Sequence, residues 1–325
     1  MRKSLFIVLF FINLQALFSQ DVEFSQYYAN PLYLNPAFAG SDDMSRISLN
    51  YRTMLPTSFG DYSTYSASYD QYLEGIGGGL GFQIMNDRQA QGAINALNIN
   101  LLYAYHFQLR KQWSFSLGLQ VGYNINSVNT QNMVFPSMID PANGVTEENI
   151  ETGIDQKKMF FDFSAGVLSW YKNYYFGFSV DHLTKPVSSL GTVYNGVIGR
   201  KYTLHGGVEI PFFNSMGRTD ITLSPNLIFQ LQDDATRINL GIYLNKKIVT
   251  AGLWLKTNTQ FNLTGAVLMF GVTGDYSSFA YSYDIPFYLG DLSSVISGSH
   301  EVTFLYKFKY KSKRKKMQAI KCPKI

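Results

Sequence analysis

The chain has 325 residues, is 46% hydrophobic and 16% aromatic, and carries one cysteine and a formal net charge of +4. The lone thiol, Cys322, excludes a disulfide framework and a thiolate metal site. The charge is divided: two basic residues stand in the first three positions and nine from Lys307 onward, which leaves 16 basic against 23 acidic residues between them, a net of −7 that excludes a basic nucleic-acid surface through the body.

Residues 1–19 read as a secretory signal peptide. Met1-Arg-Lys-Ser is followed by an apolar core, Leu5 to Ile12, and by Leu17-Phe-Ser-Gln20. Cleavage is placed between Ser19 and Gln20. Phe18 fits a small-x-small site poorly, so the cut can shift by a residue or two. A membrane anchor is the alternative, but the apolar stretch falls short of roughly 20 residues. No cysteine lies near the cut, which excludes a lipoprotein.

Residues 20–44 carry two Asn-Pro steps, Asn30-Pro31 and Asn35-Pro36, which interrupt helix and strand alike. The expectation is an ordered coil at the periplasmic mouth of the domain that follows. From 45 to 308 the pattern is alternation. In Trp113–Tyr123 and Arg237–Leu244 large apolar residues fall on every second position, with Ser, Gly, Asn or Gln between them. That is the strand period, with one apolar and one small polar face. Fourteen strands are predicted, near 45–51, 62–70, 78–85, 94–105, 113–124, 160–170, 174–182, 201–210, 221–231, 237–244, 248–256, 263–273, 278–284 and 299–308. Outward positions include Leu49 and Tyr51, Leu80, Phe82 and Ile84, Phe176 and Phe178, Leu253 and Leu255, and Phe304 and Tyr306.

The connections sort by parity. Even-numbered ones are short, such as Tyr171-Lys-Asn173 and Asn245-Lys-Lys247. The long ones, Ile125–Lys158, Leu183–Arg200 and Ile285–Gly298, are odd-numbered. A soluble β-sandwich has no reason to sort its loops in this way, whereas an outer-membrane barrel does. The expectation is therefore an all-β, transmembrane antiparallel barrel of about 14 strands with both termini periplasmic. The basic tail 309–325 would meet anionic lipid or an acidic partner, or remain solvated.

Candidate chemistry is sparse. His106, His182, His205 and His300 show no ligand spacing, so no metal or cofactor is expected. Ser299 and His300 invite a hydrolase reading, but adjacent strand residues face opposite sides. Gly75–Gly81 lacks phosphate-loop spacing and reads as a tight turn leading into a strand. The polar stretch Asn86-Asp87-Arg88 to Gly92 reads as an external loop able to bind a partner. The acidic loop Ile125–Lys158 lacks calcium-loop spacing and is a candidate for partner contact or for a plug.

Several stretches resemble the PorP/SprF family of Bacteroidota outer-membrane proteins. They are Phe24-Ser-Gln-Tyr27, Asn30-Pro31 through Asn35-Pro36-Ala37, Asn50-Tyr51-Arg52, Tyr65 to Asp70, and Gly78 to Gly81 with Asn86-Asp87-Arg88. Tyr103-Ala-Tyr105-His106, Gly118 to Gly122, His182 to Pro186, Tyr281 to Asp284 and Ser297 to Glu301 complete the ordered set. The resemblance implies a component or accessory of the type IX secretion system, linked in gliding bacteria to adhesin export. It implies as partners the secretion machinery, periplasmic lipoprotein or peptidoglycan-binding proteins, and a secreted cargo. It brings no catalytic residue. Asn30, Pro31, Asn35, Pro36, Asn86, Asp87, Arg88 and His300 are its candidate docking or structural positions. The expected function is a non-enzymatic outer-membrane barrel for export or surface attachment of a cargo such as an adhesin; a general diffusion porin is the alternative.

Overall fold

The computed structural model describes residues 21–57, 60–110, 112–129, 139–140, 144–145, 156–188, 196–213, 219–287 and 298–309. Fourteen antiparallel strands close into a ring. They are β1 Ser45–Thr57, β2 Gly60–Leu73, β3 Gly78–Gln89, β4 Ile94–Arg110, β5 Trp113–Val128, β6 Gln156–Tyr171 and β7 Tyr174–Asp181. Then come β8 (Lys201–Val208, resuming as Ile210–Phe213 after Glu209), β9 Thr219–Gln232, β10 Ala235–Lys246 and β11 Val249–Thr257. β12 Leu263–Thr273, β13 Ser277–Pro286 and β14 Ser299–Phe308 finish the wall. Each strand pairs with the next, and β14 returns to pair with β1, Ser45 opposite Phe308 and Met54 opposite Ser299. Closure leaves the wall no unpaired edge, a condition for backbone that crosses lipid.

The alternation decides which face each residue takes. Along β3, Gly79, Gly81, Gln83, Met85 and Asp87 are buried, while Leu80, Phe82 and Ile84 are exposed. Leu49, Tyr51, Phe176, Phe178, Leu253, Leu255, Phe304 and Tyr306 are exposed as well, so the outer surface is the apolar one. Most strands run beyond their predicted limits. β1 reaches Thr57 and β6 begins at Gln156, which brings several wall strands to or above the roughly 9–11 residues a bilayer needs. The polar stretch expected as a loop from Asn86 is the last turn of pleat in β3, and only Ala90–Gly92 turns. Ladder pairing with β4, Asn86 opposite Leu97 and Arg88 opposite Asn95, overrides its polar composition.

With an even strand number, β1 begins and β14 ends at one end of the barrel, here the terminal end. The long connections after β5, β7 and β13 lie at the other, the loop end. Residues 21–44 do not sit at the mouth, as expected from their breakers. They run through the lumen. Asp21 meets His182, Lys201 and Gln232 at the loop end, and Asp42 meets Lys307 at the terminal end. The described chain therefore begins at the loop end, at Asp21, and finishes at the terminal end, at Lys309. Signal residues 1–19 with Gln20, and tail residues 310–325, lie outside the described residues.

The lumen is also less polar than the alternation suggested. Tyr27, Tyr28, Leu32, Leu34 and Phe38 of the segment form one core cluster with inward-facing Leu168, Trp170, Ile228, Tyr243, Trp254 and Met269. Wall glycines allow close approach. A Cβ on Gly118 would come within 2.3 Å of the Ala37 backbone nitrogen, and one on Gly79 within 2.0 Å of the Ala39 carbonyl oxygen. Gly118→Val is expected to leave the barrel closed but to unseat the segment. The checks are unchanged heat-modifiability on gels together with new protease cleavage between residues 21 and 44. A segment that stays fully protected would show that the contact can be relieved by other means.

Candidate functional site in the lumen

The two Asn-Pro steps shape the segment. Pro31 opens a single helical turn, Pro31–Leu34, and Pro36 opens a 3-10 turn, Pro36–Phe38. Proline suits a first helical position, where its missing N–H would be unpartnered in any case. Asn35 caps the second turn: its Oδ1 accepts from Ala37 N at 2.9 Å, and its Nδ2 donates to the carbonyls of Val167 and Phe178, both at 3.2 Å. Asn30 donates to Ser66 Oγ at 3.3 Å and accepts from Gln83 Nε2 at 3.1 Å. Both asparagines thus tie a turn of the segment to the wall.

Charged anchors hold the loop end. Asp21 accepts from Lys201 Nζ at 2.8 Å and from His182 Nε2 at 2.9 Å, and His182 Nδ1 lies 2.5 Å from Asp162. Burial works against the charged form of both groups, but opposite charges prevail. Lys201 and His182 hold the Asp21 carboxyl well below its usual 3.8. Asp21 and Asp162 raise His182 from 6.5 to about 10. His182 also adopts a left-handed backbone, φ 57°, which histidine tolerates better than most residues.

A second network lies one turn deeper. Glu23 pairs with Lys256 at 3.3 Å, and Lys256 with Asp284 at 2.5 Å. Arg52 reaches Asp284 at 3.2 Å and Glu301 at 3.6 Å. The backbone N–H groups of Ser25 and Gln26 donate to Glu301 at 2.6 and 3.2 Å. Near the terminal end, Gly40 N donates to Asp70, which Arg46 also pairs at 2.8 Å, and His106 donates to the Ala39 carbonyl at 2.8 Å.

The sequence candidates divide. Asn30, Pro31, Asn35 and Pro36 are buried in the lumen, and Asp87 faces into it. Asn86 and Arg88 lie on the opposite face of β3. His300 points outward, hydrogen-bonded to Tyr281 at 2.7 Å, while its neighbours Ser299 and Glu301 are buried on the inner face. Ser299 and His300 therefore form no pair. Asp21, Glu23, Lys201 and Lys256 were not singled out from sequence, although charges on inward strand positions were the available sign. Among the described residues, no group of three His, Cys, Asp or Glu side chains could hold a metal ion.

A family model described as type IX secretion system membrane protein PorP/SprF matches residues 16–306. No curated protein matches the chain. Among solved structures, the toluene transporter TodX of Pseudomonas putida is 9% identical, with 86% of this chain and 93% of that one covered and a TM-score of 0.50. Omp33 of Acinetobacter baumannii is 6% identical, covering 83% of this chain and 100% of that one at a TM-score of 0.47. These likenesses concern the barrel fold.

The anchor makes docking of the segment pH-dependent. His182, raised from 6.5 to about 10, contributes fully below 6.5 and loses its share as pH rises through about 10. Asp21, lowered from 3.8, contributes above 3.8 and loses its share as pH falls below that value. A spin label on Val22→Cys, in a Cys322→Ser background, should be immobilised across the neutral range and gain a mobile component above about pH 10. Asp21→Asn should show that component already at neutral pH. An unchanged spectrum in both cases would remove the anchor from the account.

Proposed function

The chain belongs to the PorP/SprF family of type IX secretion system membrane proteins, and on that premise we propose that it is a non-enzymatic docking platform for export or surface attachment of a specific cargo such as an adhesin. It is an outer-membrane barrel associated with secretion machinery. The observation that carries the docking reading is the lumen, which the chain's own residues 21–44 traverse from end to end. A barrel filled in this way offers its rims, not its bore.

In this reading the loop end faces outward and meets the cargo, and the terminal end faces the periplasm. The short turns there, such as Gly274 to Tyr276, together with the tail after Phe308, would meet lipoprotein or peptidoglycan-binding partners. The coil 21–44, enclosed by the wall, is not available to them. Signal cleavage near Ser19 and Gln20 would release the segment's leading end.

Deletion of the gene is expected to lower the surface level of one or a few exported proteins, read by surface proteomics. In planar bilayers the intact barrel should give no stepwise conductance, and a variant lacking residues 21–40 should conduct. A conducting intact protein, with every exported protein at its normal level, would favour the diffusion porin instead.

A further inference from the structure

The segment leaves part of the loop-end lumen unfilled. A cavity of about 170 Å³ lies between Asp21, Val22 and Tyr33 on one side and the inner faces of β3 to β8 on the other. His182 and Lys201 also line it, each already paired with two carboxylates, His182 with Asp21 and Asp162 and Lys201 with Asp21 and Asp181. At about 30 Å³ per molecule it has room for a handful of waters or one long side chain. Its wall is lined by carboxamides, among them Asn98, Gln120, Asn124 and Asn126, with Phe160 beside them.

One carboxylate in this wall differs from the others. Among the described residues, the lumen acids Asp21, Glu23, Asp70, Asp162, Asp181, Asp284 and Glu301 each pair with a lysine, arginine or histidine. Asp87 does not. It is 4% exposed and accepts from neutral donors, Thr64 Oγ1 at 2.7 Å, Gln89 Nε2 at 2.9 Å and the Tyr62 hydroxyl, with no cation among them. Burying a carboxylate without a cation is costly. Asn124, 8% exposed, lines the same cavity, and no hydrogen bond joins its side chain to another described residue.

Lys157, Lys158, Lys185 and Arg200 flank the long loops, and none of them pairs with Asp87; the loop stretches between these flanks offer no cation either. Residues 129–155, 189–195 and 288–297 contain neither Lys nor Arg, and 129–155 alone contains five acids, Asp140, Glu147, Glu148, Glu151 and Asp155. A loop end of this composition draws in positive charge.

We propose that this cavity is a binding site for an arginine side chain presented by a peptide segment of a partner that approaches from the loop end. A guanidinium matches the wall: Asp87 supplies the charge, and the carboxamide oxygens of Asn98, Gln120 and Asn124 accept its remaining N–H groups. A peptide fits better than a sugar, because the adjoining wall already holds a peptide through Ser66 and Gln83, and a neutral sugar leaves Asp87 without its counter-charge. The site deepens the docking reading by giving the cargo contact a chemistry.

Isothermal titration of the full-length barrel in detergent tests it with three probes: acetyl-Gly-Arg-Gly-amide, the same peptide with citrulline for arginine, and maltose. The arginine peptide should bind. The citrulline peptide, and the arginine peptide on Asp87→Asn, should bind at least about tenfold more weakly. Asn124→Ala should weaken binding without altering heat-modifiability. Equal binding of arginine and citrulline peptides, binding of maltose alone, or no binding because the chain's own processed amino terminus occupies the cavity would each overturn the proposal. Purified protein is used, so this result and the export phenotype fail independently.

Discussion

A fourteen-strand ring is too wide for its own side chains to fill. Eight strands enclose an interior that side chains can close, and sixteen to eighteen enclose a water channel. Between these limits, an inner face rich in Ser, Gly and Asn leaves a bore that must be either wet or occupied. This chain occupies it with the residues that precede β1. Most other features of the interior follow from that choice. Gly79 and Gly118 lie where the segment's backbone presses on the wall, and Gly166 where the Asn35 side chain does. Trp254, Tyr243 and Ile228 face inward because Tyr27 and Tyr28 give them apolar partners.

The segment is held by different forces along its length. From Tyr27 to Phe38 the contacts are largely apolar and aromatic, with Asn30 tying its turn to the side chains of Ser66 and Gln83 and Asn35 tying its turn to the carbonyls of Val167 and Phe178. Before Tyr27 they are ionic. Buried ion pairs add little net stability compared with well-packed apolar groups, but removing one partner costs about 3–5 kcal/mol because the other charge is left stranded. Arg52, with two carboxylates about it, and Lys256, shared between Glu23 and Asp284, are in that position. The leading residues are thus selected by charge pattern more than by hydrophobicity, which suits an end of the segment that borders water and a polar cavity.

The wall was legible in the sequence because its information is local. Period-2 alternation gives the strands, and loop parity gives closure and a common end for the start of β1 and the finish of β14. The interior was not legible, because its information is long-range. Asn30-Pro31 and Asn35-Pro36 announce turns, but nothing local says that those turns are enclosed. The stretches that carried the family resemblance are far apart in sequence, yet Arg52, Asp70, Gly79, His106, Gly118, Asp284 and Glu301 all converge on the one segment. Trp254 was a readable sign: it breaks the small-residue rule on the inner face, between outward Leu253 and Leu255. Inward charges such as Arg52 and Asp284 were another, since an empty, wet lumen has no need of paired charges in mid-strand.

The seam of the barrel joins these two kinds of information. β1 follows the segment directly, and β14 is the last strand in the chain, so the pairing that closes the ring is also the most distant in sequence. Arg52 on β1 and Glu301 on β14 are direct register partners across that seam, and their ion pair lies against Ser25 of the segment, whose backbone N–H donates to the same carboxylate. The hydroxyl of Ser25 adds a bond to Asp284 on β13 at 3.0 Å. A ring closed without the segment would leave Glu301 and Asp284 with fewer donors, and a segment without the closed ring would have no wall against which to bury Ser25 and Gln26. Closure and filling therefore reinforce each other, because the charges that lock the seam also hold the segment that fills the bore.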